Sequence, residues 1–193
     1  MSQFTIACSE PARLGRSLRI WRTLRRMKQA HAAELLGVSQ TTISRWENGQ
    51  QAPTPEEQSD IRRLMQARLD SAADRELARL VRMAGTDVHL ICDLTHRLLA
   101  LSPGRERCWT VSAAELVGTS LWRFASPEIV RAERHLPDAG WYEAAPPAVE
   151  LDTGANDSDM VRIRPSRLRW VRFQLSDGSF ARLVETVAWK EAA

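Results

Sequence analysis

Four side chains in one short segment, Gln40, Thr41, Ser44 and Arg45, are of the types that read base-pair edges. Gln can pair bidentately with adenine, Arg with guanine, and a Thr methyl can pack on the thymine methyl. In a helix advancing about 100° per residue, all four fall within an arc of about 140°, while Ile43 and Trp46, three residues apart, fall on the arc that would face a core. The charge around them is concentrated. Between Arg13 and Arg45 eight basic residues stand against the single acid Glu34, a local excess of +7 in a chain whose formal net charge is +3. Such density suits a polyanion, because each neutralised phosphate releases condensed counterions. Arg16, Arg19 and Lys28 in this stretch are the candidates for phosphate contact.

Other residues that invite chemistry have plainer readings. Trp109, Trp122 and Trp170, with Trp141, offer flat apolar walls with one polar handle each, and suit either a ligand pocket or core packing. His89 and His96 have no carboxylate or thiol at ligand spacing, which favours packed or surface imidazoles over haem or metal ligands. The run Asn156-Asp157-Ser158-Asp159 lacks the Gly and the distant Glu of a calcium loop and reads as a solvated loop. Cys8, Cys92 and Cys108 are an odd number without a CxxC pair, so they are expected reduced and packed. No nucleophile, base and orienting group assemble, so a non-enzyme without metal or cofactor is expected.

The elements that must position these residues follow from periodicity and caps. Leu14, Leu18, Trp21, Leu24 and Met27 predict an amphipathic helix over Ala12 to Lys28. A second helix, Gln29 to Leu36, should stop at Gly37, and Ser39 should cap a third that ends near Asn48-Gly49. After Pro53 and Pro55, an apolar stripe from Ile61 to Val81 predicts one long helix over Glu56 to Ala84, with Ser71 and Asp74 marking a possible restart. Beyond Gly85, Asp87 to Cys92 and Arg97 to Leu101 read as a hairpin. Short helices are expected over Ala113 to Phe124 and Pro127 to His135. Strands are expected at Ala148 to Leu151, Met160 to Arg164, Leu168 to Leu175 and Ser179 to Trp189, the last two joined by an Asp177-Gly178 turn.

The segment from Gln29 to Gly49 resembles the helix-turn-helix of the Cro/repressor-like, or XRE, family of transcriptional regulators. Ala33 is small enough for a close helix crossing, Gly37 tolerates the positive φ of the turn, and Ile43 and Trp46 face inward. The resemblance spans about residues 12 to 69. It implies that Gln40, Thr41, Ser44 and Arg45 read bases, that Gln29 clamps phosphate, and that Arg22 and Glu47 tie the first helix to the end of the recognition helix. Arg25 to Lys28 depart from the family pattern, which often carries a Gly there. From Asp87 to Trp189 the order of elements resembles a PAS-like sensory domain, with Glu115 to Gly118 matching an acidic residue, an apolar pair and a Gly. The turn Asp93 to His96 departs from it by lacking a glycine.

The expected architecture is thus an α+β two-domain chain: a flexible segment over 1–11, a five-helix repressor-like domain over 12–69, a helical linker over 70–85, and a PAS-like antiparallel sheet with helices on one side over 86–190. Its length of 193 residues, with 44% hydrophobic and 26% charged side chains, accommodates two small cores. No apolar run approaches the ~18 residues of a spanning helix, and the N-terminus has no signal-like pattern, so a cytoplasmic protein is expected. The function expected is that of a DNA-binding regulator, most simply a repressor acting as a homodimer on a palindromic operator. A small molecule or protein would act through its C-terminal half. The alternative is a protein-interaction module, such as an antitoxin or a regulator that sequesters a partner.

Overall fold

The computed structural model describes residues 10–189, so Cys8 and nearly all of the segment expected to be flexible lie outside the described residues. The chain divides into two compact units, Met1–Gln66 and Ala67–Ala193.

Four helices build the first unit among its described residues: α1 (Glu10–Leu24), α2 (Gln29–Leu36), α3 (Gln40–Glu47) and α4 (Pro55–Met65). The periodic residues Leu14, Leu18 and Trp21 of α1 are buried, as are Ala32 and Ala33 of α2, Ile43 and Trp46 of α3, and Ile61 and Met65 of α4. Gly37 ends α2 at φ 65°, and the Ser39 hydroxyl caps α3 by accepting from the Thr42 N–H. α4 opens on a capping box. Thr54 accepts from the Glu57 N–H, and the Glu57 carboxylate accepts from the Thr54 N–H at 2.7 Å, so two otherwise orphaned donors are satisfied reciprocally. In the turn after the first helix, where the helix-turn-helix resemblance implies a Gly, Arg26 adopts φ 51°. The turn therefore keeps its left-handed geometry at a steric cost of about 1–2 kcal/mol.

The single long helix expected over Glu56 to Ala84 is two helices, so the described residues of the first unit hold four helices where five were expected. α4 stops where Gln66 turns extended, and α5 (Ala72–Met83) restarts on a second capping box, made by Ser71 and Asp74. The physical reason lies in the contacts of the intervening segment. The Ala67 N–H donates to the Cys92 sulfur at 3.4 Å. Asp74 accepts from the Ser176 N–H at 3.2 Å and from its hydroxyl, and these bonds, with those from Ser71, hold its carboxyl at about 2. Packing against the second unit outweighs helix propensity there. Instead of linking two domains, α5 belongs to the second unit and buries Ala78 and Val81 on its sheet.

That sheet has five antiparallel strands in the order β2-β1-β5-β4-β3. They are β1 (Val88–Cys92), β2 (Leu98–Leu101), β3 (Val149–Thr153), β4 (Ser166–Gln174) and β5 (Phe180–Trp189). Because side chains alternate along a strand, Val88, Leu90 and Cys92 pack with Ala78 and Val81, whereas Ile91 points to the opposite core with Trp109, Leu116, Phe124, Leu136, Trp170 and Val184. The second core is covered by α6 (Pro103–Arg107), α7 (Ala113–Leu116), a 3-10 turn over Trp122–Phe124, and α8 (Pro127–His135). Helices thus lie on one side as expected, with α5 added on the other. The arrangement agrees with the fold that the PAS-like resemblance implies.

The segment Met160 to Arg164 is not a strand, because its backbone groups are already engaged. Thr110 N–H donates to the Met160 carbonyl. The Asn156 amide donates to the Phe124 and Val161 carbonyls and accepts from the Ile163 N–H. The loop around Asn156, expected to be merely solvated, is therefore organised by that side chain together with Ser158 and Thr110.

Candidate nucleic-acid interface and buried cavity

In the first unit, α3 is held from beneath by a polar cluster and presents its other face. Glu47, at the end of α3, is 8% exposed. It accepts from Arg22 Nε at 2.8 Å and Nη2 at 2.9 Å, and from Gln29 Nε2 at 2.9 Å. The Arg22 guanidinium also donates to the Met27 carbonyl, so α1, the turn after it, the start of α2 and the end of α3 meet on one carboxylate. The bond to Glu47 raises the Arg22 pKa above its usual value. Bidentate geometry around a buried carboxylate fixes orientation as well as energy.

A second restraint was not visible in the motif. A Cβ placed on Gly15 of α1 would lie 2.0 Å from the Trp46 carbonyl oxygen and 2.8 Å from its carbon. α1 therefore touches the last turn of α3 backbone to backbone. Ala33, the small residue read as the close contact, is buried as well. On the free face of α3, Gln40, Thr41 and Arg45 are exposed and Ser44 is half-buried; Arg16, Arg19 and Lys28 are exposed, and Gln29 is half-buried against Glu47. Ile43 and Trp46 face the core, as their spacing predicts.

The second unit holds a cavity of about 90 Å³ between the sheet and its helices, partly open to solvent, several times the space one water needs. Trp109, Trp122 and Trp170 all line it, together with His89, Arg105 and the Val161 to Arg164 loop. Trp141 does not: it is fully buried and donates from Nε1 to both carboxylate oxygens of Asp93 at 3.1 and 3.2 Å. His89 stands edge-on to Trp109, with ring centroids 5.7 Å apart. Burial first, and the neighbouring Arg105 cation second, push the His89 imidazole well below its ordinary range, so it is neutral near pH 7. His96, at φ 57°, lies 3.3 Å from the Glu133 carboxylate and against Trp122.

Beside the cavity lies a charge cluster that the sequence pattern did not single out. Arg172 and Arg182 are direct cross-strand partners on β4 and β5, and both are buried. Like charges so placed repel, and Asp93 resolves this by accepting from Arg172 Nε at 3.1 Å and Arg182 Nε at 2.8 Å. Glu133 adds a second carboxylate, 2.7 Å from Arg182. Two arginines at facing inward positions of a hairpin were the available signal, since buried cations require carboxylates.

Among the described residues no group of three or more His, Cys, Asp or Glu could hold a metal ion, and no helix is long and apolar enough to cross a membrane. Neither Cys92 nor Cys108 forms a disulfide among the described residues.

Residues 13–68 match the family model described as a helix-turn-helix domain. The match begins and ends within one residue of the span over which the sequence resembles Cro/repressor-like proteins. No curated protein matches the chain. Among solved structures it is similar to the PAS domain of an HTR-like protein from Haloarcula marismortui, at TM-score 0.44 and 13% identity over 60% of this chain and 91% of that one. It is also similar to the PAS domain of Bordetella pertussis BvgS, at TM-score 0.40 and 12% identity over 61% of this chain and 85% of that one. An RNA-binding light-oxygen-voltage receptor aligns at TM-score 0.42 and 12% identity over 91% of this chain, which spans 58% of that receptor.

Proposed function

We propose that the chain is a sequence-specific regulator of transcription that binds double-stranded DNA through its N-terminal unit and acts in the cytoplasm as a repressor. The observation that carries this reading is the helix-turn-helix match over a unit in which α3 is anchored by Glu47 and Gly15 and leaves Gln40, Thr41 and Arg45 exposed on one face. A rigidly seated short helix with donors on its free face suits insertion into the major groove. In this reading Gln40, Thr41, Ser44 and Arg45 read bases, while Gln29, Arg16, Arg19 and Lys28 hold phosphates. Gln29 keeps one amide hydrogen to offer a phosphate while the other serves Glu47.

One such helix contacts few base pairs, so the regulator acts as a homodimer on a two-fold symmetric operator. Leu80 and Met83, exposed one turn apart on α5, supply apolar surface for the partner copy. The C-terminal PAS-like unit is the sensory half, and the cavity between its sheet and helices is where an effector acts.

The test is a pair of substitutions measured on a selected operator and on random duplex. Arg45→Ala should lose about 1–3 kcal/mol of discrimination at one base position, whereas Arg19→Ala should weaken all duplexes alike and lower the salt dependence. Equal loss for Arg45→Ala on operator and random DNA contradicts the base-reading role.

A further inference from the structure

The polar groups lining the cavity are unevenly matched. Four arginines line it, Arg105, Arg162, Arg164 and Arg182, and no aspartate or glutamate does. Arg182 is neutralised by Asp93 and Glu133. Arg105 forms no such ion pair: it is 7% exposed and donates to the Asp87 carbonyl and the Thr186 hydroxyl, its Nε has no partner, and the Asp87 carboxylate acts on it only through space. Burial lowers its pKa by more than the nearby Cys108 and Asp87 side chains raise it, as befits a cation whose lost hydration is only partly replaced by an anion. Next to it is His89, 9% exposed, whose Nδ1 is buried without a hydrogen-bond partner among the described residues. A buried polar group without a partner costs free energy that a ligand can recover.

The rest of the wall is flat and apolar. The indoles of Trp109, Trp122 and Trp170 bound the space. Aromatic walls favour a planar ring, stacked or edge-on.

Resting on the reading of the C-terminal unit as sensory, we propose that this cavity takes a small planar aromatic carboxylate. The ring lies among Trp109, Trp122 and Trp170, the carboxylate pairs with Arg105, and one ring N–H of His89 donates to the same anion. The charge pattern selects the anion over a neutral aromatic, and the tryptophans select a ring over an aliphatic acid.

Isothermal titration calorimetry on the full chain, without DNA, tests this with benzoate and indole-3-carboxylate. Their neutral isosteres benzamide and indole-3-carboxamide, and acetate, serve as controls. At least one aromatic acid should bind, its amide at least tenfold more weakly, and acetate not measurably. Arg105→Gln should reduce the affinity for the acid at least tenfold while leaving that for the amide unchanged, and His89→Leu should reduce it several-fold. If Arg105→Gln does not fold, the acid-to-amide ratio of the unaltered protein decides. Amides binding as tightly as acids, or neither acid binding at millimolar concentration, overturns the proposal. DNA binding is scored separately on the same preparation. Protein that selects duplex DNA but binds no acid sinks this inference alone, and protein that binds acid but no duplex sinks the regulatory reading instead.

Discussion

Asp93→Ala will destabilise the C-terminal unit by about 3–5 kcal/mol, the cost of stripping a buried carboxylate from its cations. Asp93 is 1% exposed and accepts from two arginines and the Trp141 indole. Without it Arg172 and Arg182 face each other across β4 and β5, and of the two only Arg182 keeps a carboxylate, that of Glu133. Their stacking on Phe180 and Trp170, at 3.5 and 4.6 Å from the ring centroids, does not replace a charge. Asp93→Asn keeps the shape and should still lose most of the same stability, which separates charge from packing. Denaturant unfolding followed by tryptophan fluorescence measures both, and an Asp93→Asn variant as stable as the parent would show that the charge is dispensable.

The cluster also sets a pH dependence. Burial alone would raise the Glu133 carboxyl above its ordinary value of 4.5, but Arg182 and His96 overcome this and hold it well below. A carboxyl depressed in the folded state contributes stability that is complete above its unfolded value and is lost as pH falls through the folded one. Acid unfolding of this unit should therefore lie well below pH 4.5 and move upward in Asp93→Asn.

The second large effect belongs to the first unit. Gly15→Ala will cost about 3 kcal/mol or more and abolish duplex binding, although alanine is the better helix former by about 1 kcal/mol. The new methyl would occupy the place of the Trp46 carbonyl group, which is backbone and cannot swing aside. α1 would have to move off the end of α3, breaking the Arg22, Glu47 and Gln29 cluster on the way. Gly85→Ala, where nothing lies within 4 Å, is the control and should change stability by less than about 0.5 kcal/mol. A Gly15→Ala variant that melts and binds like the parent would show that the contact is looser than described.

What was legible in the sequence is what short-range chemistry dictates. Gly37 and Ser39 fix the turn between α2 and α3 by backbone geometry and a cap, both local. The Asp177-Gly178 turn announces the β4–β5 hairpin in the same way. The break between α4 and α5 was half legible: Ser71 and Asp74 spell a cap, but only Cys92 and Ser176, distant in sequence, explain why the chain prefers it to a continuous helix. The Met160 to Arg164 segment has strand-like composition and is kept out of the sheet by Asn156 and Thr110. Gly15 and Asp93 were illegible for one reason. A glycine inside an amphipathic helix and an aspartate in a hairpin turn each have ordinary local explanations, and their roles exist only once distant segments meet.

The most direct measurement is selection of bound sequences from a random duplex library by the 193-residue chain at physiological salt. Two short, inverted half-sites with centres one helical turn, about 10 base pairs, or a multiple of it apart should be enriched, with the preference lost in Arg45→Ala at one position of each half. Duplexes retained without any common sequence would contradict this expectation, and would leave α3 a basic surface that does not read bases.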